Sequence, residues 1–387
     1  MTLWQVKPDY LCAVAGIYFH IPFCRQACLY CDFHFTTSNA HRNELIEAML
    51  TEVRMRSHYL RGEQVESIYF GGGTPSLLPA GVIQRMIDEA ARCFDIRSDA
   101  EITLEANPDD LNPAKVGDLR RTSVNRLSIG VQSFFDEDLR WMNRAHSATE
   151  AEQALLLVQD AGYEQLTVDL IYGYPLLSDL KWQRNVERVI DAGVPHISAY
   201  SMTVEPGTAL AGFIRKGKHP HMDEAQSATQ FTWLMNTLER EGFEHYEISN
   251  FARPGHYARH NSNYWKGIPY LGIGPSAHSY DRYSRQWNIA NNARYIRAIQ
   301  SGSIPCQKED LEVKDRFNEY IMTALRTIWG VDLTYVAESF GPEYGTALQA
   351  AMTPFIEQGD ILVTEGTATL TKQGKLMADH IAAELFA

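Results

Sequence analysis

The segment Tyr18–Phe33 reads YFHIPFCRQACLYCDF and contains three of the six cysteines in the chain. Cys24, Cys28 and Cys31 are separated by three residues and then by two, so a single loop can bring their thiolates together. Cysteine thiolates are the usual ligands of iron–sulfur clusters. Three thiolates on a four-iron cluster leave one iron without a protein ligand, and that iron can take an exchangeable ligand, as open catalytic metal sites do. We therefore predict that this loop binds a [4Fe–4S] cluster.

A structural zinc site is the alternative interpretation of the same loop. Structural zinc usually takes four ligands, often from two separated Cys-x-x-Cys pairs. Here His20 or His34 would have to supply the fourth ligand. The position of the loop, directly after the first β-like run, favours the cluster.

The composition restricts the classes of protein to which the chain can belong. Of its 387 residues, 45% are hydrophobic and 21% are charged, which is typical of a soluble globular protein. The net charge of −13 argues against a general affinity for nucleic acid, because phosphate binding requires clustered Lys and Arg. No apolar run approaches the roughly 20 residues that span a bilayer, and the first residues (MTLWQVKPDY) lack the pattern of a secretion signal. We expect a cytoplasmic protein that does not bind nucleic acid.

Short β-like runs alternate with amphipathic stretches through the first two thirds of the chain. The β-like runs are Ile17–Ile21, Ser67–Phe70, Glu101–Glu105, Arg126–Gln132, Gln165–Tyr172 and His196–Thr203. Apolar residues recur near helical spacing in Asn43–Tyr59, Pro79–Phe94, Ala148–Ala161 and Leu180–Ala192. This alternation predicts βαβ units around a parallel sheet, and six units fit a partly closed barrel better than a complete eightfold one. Ligands are then expected at the carboxyl ends of the strands.

The sequence pattern changes after about residue 245. Residues 246–300 are rich in aromatic residues, His, Asn and Gly, whereas helical spacing dominates from residue 301 onward. A β-like pair at Ile361–Thr364 and Ala368–Thr371 precedes a last helix at Lys372–Leu385. We predict an α/β protein with a core over residues 10–245, a connecting segment over 246–300, and a smaller, mainly helical, winged-helix-like domain over 301–387.

The cysteine spacing, its place after the first strand and the partial barrel together resemble the radical SAM superfamily, in which S-adenosylmethionine (SAM) binds the open iron. The longer string YxHIPFCxxxCxYCDF is more specific. It resembles the branch that contains the oxygen-independent coproporphyrinogen III dehydrogenase HemN and the heme chaperone HemW. The resemblance extends from Tyr18 to the C-terminal helices and implies a partial (βα)6 barrel followed by a HemN-type C-terminal domain.

Glycines and polar residues at strand ends are the candidates for the SAM site. Gly71, Gly72 and Gly73 follow the second strand, where the absence of a Cβ lets backbone carbonyls approach a ligand. Asp169 lies within an apolar run, where a carboxylate must find partners or stay protonated, and a ribose hydroxyl would satisfy it. Arg144 suits a carboxylate because its guanidinium forms forked hydrogen bonds. The resemblance implies SAM contacts at Tyr18, Tyr30, Gly72, Gly73, Thr74, Glu105, Gln132, Arg144 and Asp169.

The block His-Asn-Ser-Asn-Tyr-Trp at residues 260–265 resembles the HNxxYW block of HemW. An imidazole can ligate heme iron, and Tyr264 and Trp265 can cover a flat macrocycle. We therefore predict heme contacts at His260, Tyr264 and Trp265, with His278 as a second candidate ligand. The alternative is a well-packed loop in which His260 bonds to backbone.

Two functions compete in this branch, oxidative decarboxylation of coproporphyrinogen III and heme transfer. The dehydrogenase pattern continues to a fourth cysteine, CX3CX2CXC, where this chain has Phe33. The dehydrogenase also has a substantial N-terminal extension, whereas seventeen residues precede Tyr18 here. With the HNxxYW block, these departures favour a chaperone that binds the cluster, SAM and heme and passes heme to an unknown acceptor protein. The resemblance implies that such a protein can associate with the cytoplasmic face of the membrane, as a monomer or a homodimer.

Overall fold

A large sheet organises most of the structure, a computed structural model that describes residues 14–387. Its strands are β1 (Val14–Ile21), β2 (Gln64–Gly72), β3 (Ile96–Ala106), β4 (Arg126–Gln132), β5 (Gln165–Tyr172), β6 (His196–Ser201), β7 (Glu244–Glu247), β8 (Asn250–Ala252), β9 (Tyr270–Ile273), β10 (His278–Tyr280), β11 (Ser284–Asn288) and β12 (Cys306–Asp310). A small sheet contains β13 (Val331–Asp332), β14 (Ile361–Thr364) and β15 (Thr367–Leu370). The helices are α1 (Arg42–Met55), α2 (Ala80–Cys93), α3 (Pro113–Leu119), α4 (Asp136–Trp141), α5 (Ala148–Asp160), α6 (Asp179–Asp191), α7 (Ala209–Arg215), α8 (Glu224–Arg240), α9 (Arg259–Trp265), α10 (Asn292–Gln300), α11 (Val313–Ala324), α12 (Leu333–Phe340), α13 (Pro342–Glu357), α14 (Lys372–Lys375) and α15 (Ala378–Glu384).

The first six strands pair in parallel and in chain order, with helices between them. This confirms the predicted α/β architecture of six βα units. The sheet stays open, because its order runs β12-β11-β10-β9-β1-β2-β3-β4-β5-β6-β8-β7 and ends on two different strands. Side chains alternate between the faces of a strand. Ile17, Phe19 and Ile21 join the main hydrophobic cluster, so Tyr18 and His20 lie on the inner face of the barrel.

Residues 246–300, predicted as a connecting segment, contribute strands to both edges of the large sheet. Strand β8 pairs antiparallel with β6, whereas β9 pairs parallel with β1 and is followed by the antiparallel β10 and β11. Strand β12, within the predicted C-terminal domain, pairs with β11. The main hydrophobic cluster extends to Ile299, and a second one covers Phe317–Leu385. The predicted boundaries stay a prediction, and residues 10–13 lie outside the described part of the chain.

The C-terminal domain combines helices α11–α15 with the small sheet, in the order β13-β15-β14. This arrangement confirms the predicted winged-helix-like domain, and β14 has the predicted bounds. The domain packs on the core through two cation–π contacts, Arg326 over Trp265 at 5.7 Å and Lys266 over Trp329 at 4.0 Å. In residues 14–387, every helix is too short or too polar to cross a membrane.

Candidate functional site

The three cysteines lie on the loop that follows β1, at the carboxyl end of the parallel sheet. The beginning of this loop is fixed by its own backbone, because Cys24 N donates to Thr36 O at 3.0 Å. It is also fixed by the turn after β2, where Gly73 N donates to Ile21 O at 2.9 Å and Thr74 N donates to Phe23 O at 2.6 Å. The glycine turn and the cysteine loop therefore form one structural unit.

The middle of the cysteine loop is fixed by helices on the outside of the barrel. Leu29 N donates to Met142 O at 3.1 Å, immediately after α4. Leu29 O accepts a hydrogen bond from Leu210 N, in the first turn of α7, at 2.9 Å. The Asn143 side-chain amide donates to Ala27 O at 2.7 Å. Backbone contacts therefore hold the loop on both sides of Cys28.

The three thiols are free and lie close enough to influence one another. The pKa of Cys31 is raised to about 11, mainly by burial and in part by the neighbouring Cys28 and Cys24. Two donors point at these sulfurs: Thr74 Oγ1 lies 3.6 Å from Cys24 Sγ, and Arg144 Nη1 lies 3.4 Å from Cys28 Sγ. Hydrogen bonds to ligand sulfurs are one means by which proteins tune iron–sulfur clusters. The donor set therefore fits a cluster held by three thiolates.

The zinc alternative requires a histidine as fourth ligand, and both candidate rings have protein partners. His20 Nε2 hydrogen-bonds to His34 O at 2.9 Å, and His34 Nε2 hydrogen-bonds to Asn292 Oδ1 at 2.8 Å. Among residues 14–387, no three Cys, His, Asp or Glu side chains converge as they would on one metal ion. In a cluster, each thiolate binds a different iron, so convergence on a single point is not required. The arrangement favours a cluster over zinc.

The glycine turn after β2 needs glycine for packing as well as for any ligand. Gly72 has a φ of +106°, and a Cβ there would lie 2.6 Å from the His20 ring. A Cβ at Gly73 would lie 2.8 Å from Ile21 O and 2.7 Å from Phe23 O. From the sequence, the glycines were expected to let a ligand approach this turn. The structure shows that protein atoms of β1 and the cysteine loop also pack closely against it.

Two predicted SAM residues, Glu105 and Asp169, place carboxyl groups on the inner face of the barrel. Glu105 accepts a hydrogen bond from Tyr69 OH at 2.8 Å, and burial raises its pKa to about 7, with Asp169 adding to the shift. Asp169 accepts a hydrogen bond from Ser128 Oγ at 3.2 Å, and burial raises its pKa to about 6. Two half-buried carboxyls with raised pKa values suit a cationic ligand or one with several hydroxyl donors.

Arg144 connects the carboxyl ends of β3 and β4 to the cysteine loop. Its Nη2 donates to Asn107 Oδ1 and to Gly130 O, both at 2.8 Å, and its Nη1 lies 3.4 Å from Tyr30 OH. Its buried Nε has no protein partner among the described residues. The structure thus brings Arg144 together with Tyr30 and Cys28. Both terminal nitrogens of its guanidinium already hydrogen-bond to protein atoms.

Gln132, another predicted SAM residue, ends β4 in a strained conformation. Its φ is +67°, and the pairing of β4 with β5 shifts register between Gly130 and Gln132. Backbone strain of this kind in a residue other than glycine is concentrated at functional sites. The sequence did not predict this conformation, because position 132 is neither a glycine nor part of a turn motif.

His260 lies in the first turn of α9, and its ring stacks on those of Tyr69 and Tyr18 with centroids 5.0 and 6.4 Å apart. Only 1% of its surface is exposed, and burial lowers its pKa to about 3. Nδ1 hydrogen-bonds with Ser67 Oγ at 2.8 Å, and Nε2 with Tyr264 OH at 3.0 Å. Both ring nitrogens are therefore engaged by side chains. Trp265, at the other end of α9, packs against Arg326 of the C-terminal domain.

A groove of about 340 Å³ lies beside the cysteine loop. It is lined by Tyr18, His20, Asp32, Phe33, His34, Tyr264, Tyr270, Ser276 and His278. Phe33, at the position of the fourth cysteine of the dehydrogenase pattern, is 64% exposed. The His278 ring is also exposed and stacks on Trp287 with centroids 6.2 Å apart. The structure thus brings two heme candidates, Tyr264 and His278, to one groove, whereas His260 and Trp265 do not line it.

Sequence reasoning did not name Tyr270 of this groove, and it considered His34 only as a possible zinc ligand. Tyr270 reaches it because β9 pairs with β1, and no local pattern signals a pairing over that separation. His34 lies three residues after Cys31, so its proximity to the cysteines was visible, but its contact with Asn292 of α10 was not.

Comparison with known proteins agrees with this geometry. The model of the radical SAM superfamily matches residues 18–189. The heme chaperone HemW of Mycobacterium tuberculosis is 32% identical over 375 residues, which cover 96% of this chain and 94% of that protein. HemW of Bacillus subtilis is 30% identical, covering 94% of this chain and 97% of that protein, and HemW of Escherichia coli is 32% identical over 81% and 82%.

Among solved structures, coproporphyrinogen III oxidase (HemN) of Escherichia coli superimposes with a TM-score of 0.83 at 22% identity. The match covers 96% of this chain and 90% of HemN, and at this identity it shows the shared fold. The HemW proteins, in contrast, match at 30% identity or more over nearly their whole length. This chain therefore belongs to the HemW family of the radical SAM superfamily.

Proposed function

We propose that this protein is a heme chaperone that carries a [4Fe–4S] cluster on Cys24, Cys28 and Cys31 and passes heme to an acceptor protein. The observation that carries the proposal is the similarity, over nearly the whole chain, to proteins named heme chaperone HemW. The acceptor, the cytoplasmic location, any association with the membrane face, and the state as monomer or homodimer stay predictions.

The groove beside the cysteine loop suits heme as cargo. Its aromatic side chains Phe33, Tyr264 and Tyr270 offer flat apolar surface to a macrocycle, and burying such surface is favourable. The His278 ring stacks on Trp287, and within residues 14–387 its nitrogens have no hydrogen-bond partner. Those nitrogens are therefore available to ligate iron. His260 would first have to release Ser67 and Tyr264. We therefore favour His278 over His260 as the iron ligand.

The residues at the carboxyl ends of the strands would hold the cluster and SAM. Thr74 donates toward the sulfur of Cys24 and Arg144 toward that of Cys28, and hydrogen bonds of this kind tune a bound cluster. The SAM contacts that we propose are Tyr18, Tyr30, Gly72, Gly73, Thr74, Glu105, Gln132, Arg144 and Asp169. When bound, the cluster and SAM together supply one-electron reduction of a sulfonium.

The affinity for SAM should depend on pH through Glu105. Its pKa of about 7 lies above the usual 4.5, so the free protein holds a proton there at pH 6. The same shift means that this group's contribution to stability is lost as pH rises from about 4.5 through 7. A carboxylate that accepts hydrogen bonds from SAM must lose that proton, so we expect affinity to increase about tenfold between pH 6 and pH 8. Calorimetric titration of the cluster-loaded protein checks this, and Glu105→Gln should bind SAM with a flat profile. An equally steep profile in that variant would exclude Glu105.

Titration with hemin separates the two candidate ligands. His278→Ala should shift the Soret band and weaken heme binding at least about tenfold, as expected for the loss of an iron ligand. His260→Ala should keep the spectrum and lose about 1–3 kcal/mol of folding free energy, because Ser67 and Tyr264 would be left without a buried partner. The opposite result, in which only His260→Ala loses the band, would make His260 the ligand.

The competing function is tested on the same preparation. Cluster-loaded protein, supplied anaerobically with coproporphyrinogen III, SAM and a reductant, should form no appreciable protoporphyrinogen IX. Product formation at enzymatic rates would refute the chaperone proposal in favour of the dehydrogenase.

A further inference from the structure

The lining of the groove beside the cysteine loop offers no partner for the negative charge of heme. A heme molecule carries two propionate carboxylates at one edge of its macrocycle. Within residues 14–387, no Lys or Arg lines the groove, and Asp32 adds a negative charge of its own. Carboxylates that leave water require a cation or hydrogen-bond donors nearby. A cation that binds heme must therefore reach the groove from a neighbouring position of the sheet.

Arg285 of β11 lies on the face of the sheet that forms one wall of the groove. Directly opposite residues of antiparallel strands share a face, and so do residues two apart in one strand. Tyr280 of β10 is opposite both Tyr270 and Arg285. His278 is opposite Trp287, and the two rings stack with centroids 6.2 Å apart. Because Tyr270 and His278 line the groove, Arg285 also belongs to the groove side of the sheet.

The charge of Arg285 acts on His278, the proposed iron ligand. The two residues are diagonal neighbours in the pairing of β10 with β11. The Cα atoms of such a pair are roughly 7–8 Å apart, a separation that long side chains can bridge. The pKa of His278 is lowered below its ordinary value, mainly by burial and in part by the charge of Arg285. The guanidinium is therefore within electrostatic range of a macrocycle bound at His278.

One carboxylate engages only part of the Arg285 guanidinium. Nε donates to Glu319 Oε1 at 3.0 Å, and Nη2 donates to the same oxygen. In the described part of the chain, Nη1 has no hydrogen-bond partner, and Glu309, opposite Arg285 on β12, forms no ion pair with it. The Arg285 side chain is 37% exposed. Nη1 can therefore donate to a second carboxylate, for which a planar guanidinium is suited.

We propose that Arg285 binds a propionate of the heme held in the groove, and that Glu319 of α11 competes for the same guanidinium. This inference rests on the proposed function, in which the groove holds heme. The contact is a charge-assisted hydrogen bond from Nη1 to a propionate oxygen, and no covalent bond forms or breaks. Because the negative charge of Glu319 offsets that of Arg285, it weakens the attraction of the propionate. Glu319 thus limits the affinity for heme, which suits a protein that passes heme on.

The test compares the affinities of the full-length protein for hemin and for hemin dimethyl ester in the same detergent solution. The ester has the same iron and ring but no charged propionate. We expect the wild type to bind hemin at least about tenfold more tightly than the ester, as the loss of a hydrogen bond between charged groups predicts. Arg285→Gln combined with Glu319→Gln should remove this preference, because it replaces both charges and leaves neither one unpaired. Its Soret band and its affinity for the ester should stay at the wild-type values.

Glu319→Gln alone tests the competition for Arg285. This variant should bind hemin roughly threefold more tightly than the wild type, as expected for a half-exposed charge pair, and should bind the ester with unchanged affinity. If Glu319 merely held Arg285 in place, the same change would weaken the binding of hemin. That result would overturn the competition.

Arg282→Gln combined with Glu63→Gln is the matched control, because it removes a neighbouring ion pair of similar exposure, with Nη1 and Oε1 2.6 Å apart. It should behave as wild type with both ligands. A wild-type preference for hemin in the Arg285 double variant would overturn the proposal. So would an equal loss of affinity for both ligands with a shifted Soret band, since Arg285 would then only support the groove. Equal binding of hemin and ester by the wild type would overturn this inference alone, whereas a wild type that binds neither would refute the proposed function.

Discussion

Cys28→Ser should leave the protein folded but unable to hold its cluster. Cys28 is the middle one of the three proposed ligands, and its sulfur has Arg144 Nη1 at 3.4 Å. Serine supplies a much weaker iron ligand at neutral pH, and two remaining thiolates cannot hold a four-iron cluster stably. After anaerobic reconstitution we expect about four irons per chain in the wild type and almost none in the variant. Iron analysis and the broad visible absorbance of the cluster measure this directly.

Cys93→Ser is the control for Cys28→Ser. Cys93 ends α2, is partly exposed, and stands apart from the cysteine loop in sequence. Its replacement should leave iron content and absorbance at the wild-type level. Full iron content in Cys28→Ser would show that the ligand assignment is wrong, whereas loss of iron in Cys93→Ser would point to a general loss of stability.

The parallel strands were predictable from sequence because they are short apolar runs bounded by turns. Two of them, β4 and β5, have the predicted bounds of Arg126–Gln132 and Gln165–Tyr172. Strands β7–β11 were not predicted because they have only three to five residues and are rich in Tyr, His, Asn and Ser. Their pairing also depends on residues far along the chain, since β9 joins β1 across most of the core.

In the candidate site, too, some residues could be recognised from local sequence, whereas the surroundings of others depend on contacts between distant parts of the chain. The cysteines and the glycine turn each lie within a few consecutive residues, so spacing alone was enough to name them as candidates. The environment of His260 could not be read from its block, because Ser67 lies 193 residues away. In the structure His260 is a buried histidine with both ring nitrogens hydrogen-bonded, and its role as a heme ligand stays a prediction. Phe33 was predicted to mark a departure from the dehydrogenase pattern, but only the fold shows that it lines a groove.

Gly72→Ala is expected to have the largest effect of any single-methyl change in the site. The φ of +106° is strained for alanine, and such strain costs about 1–3 kcal/mol. The added Cβ would also lie 2.6 Å from the His20 ring. That ring cannot swing away freely, because it is held by His34 O on Nε2 and by Tyr18 OH on Nδ1. The end of β2 must therefore move instead.

A shift of β2 would break the contact of Thr74 N with Phe23 O, which connects the glycine turn to the cysteine loop. We therefore expect Gly72→Ala to lose SAM affinity at least about tenfold as well as folding free energy. Gly81→Ala is the matched control, since Gly81 lies in α2 with open space around its Cβ position. That change should stabilise the protein by about 0.5–1 kcal/mol and leave SAM affinity unchanged. Calorimetric SAM titration and denaturant unfolding of both variants decide the matter. Wild-type values in Gly72→Ala would mean that the turn tolerates a side chain, and the close packing of β2 on His20 would then not shape the SAM site.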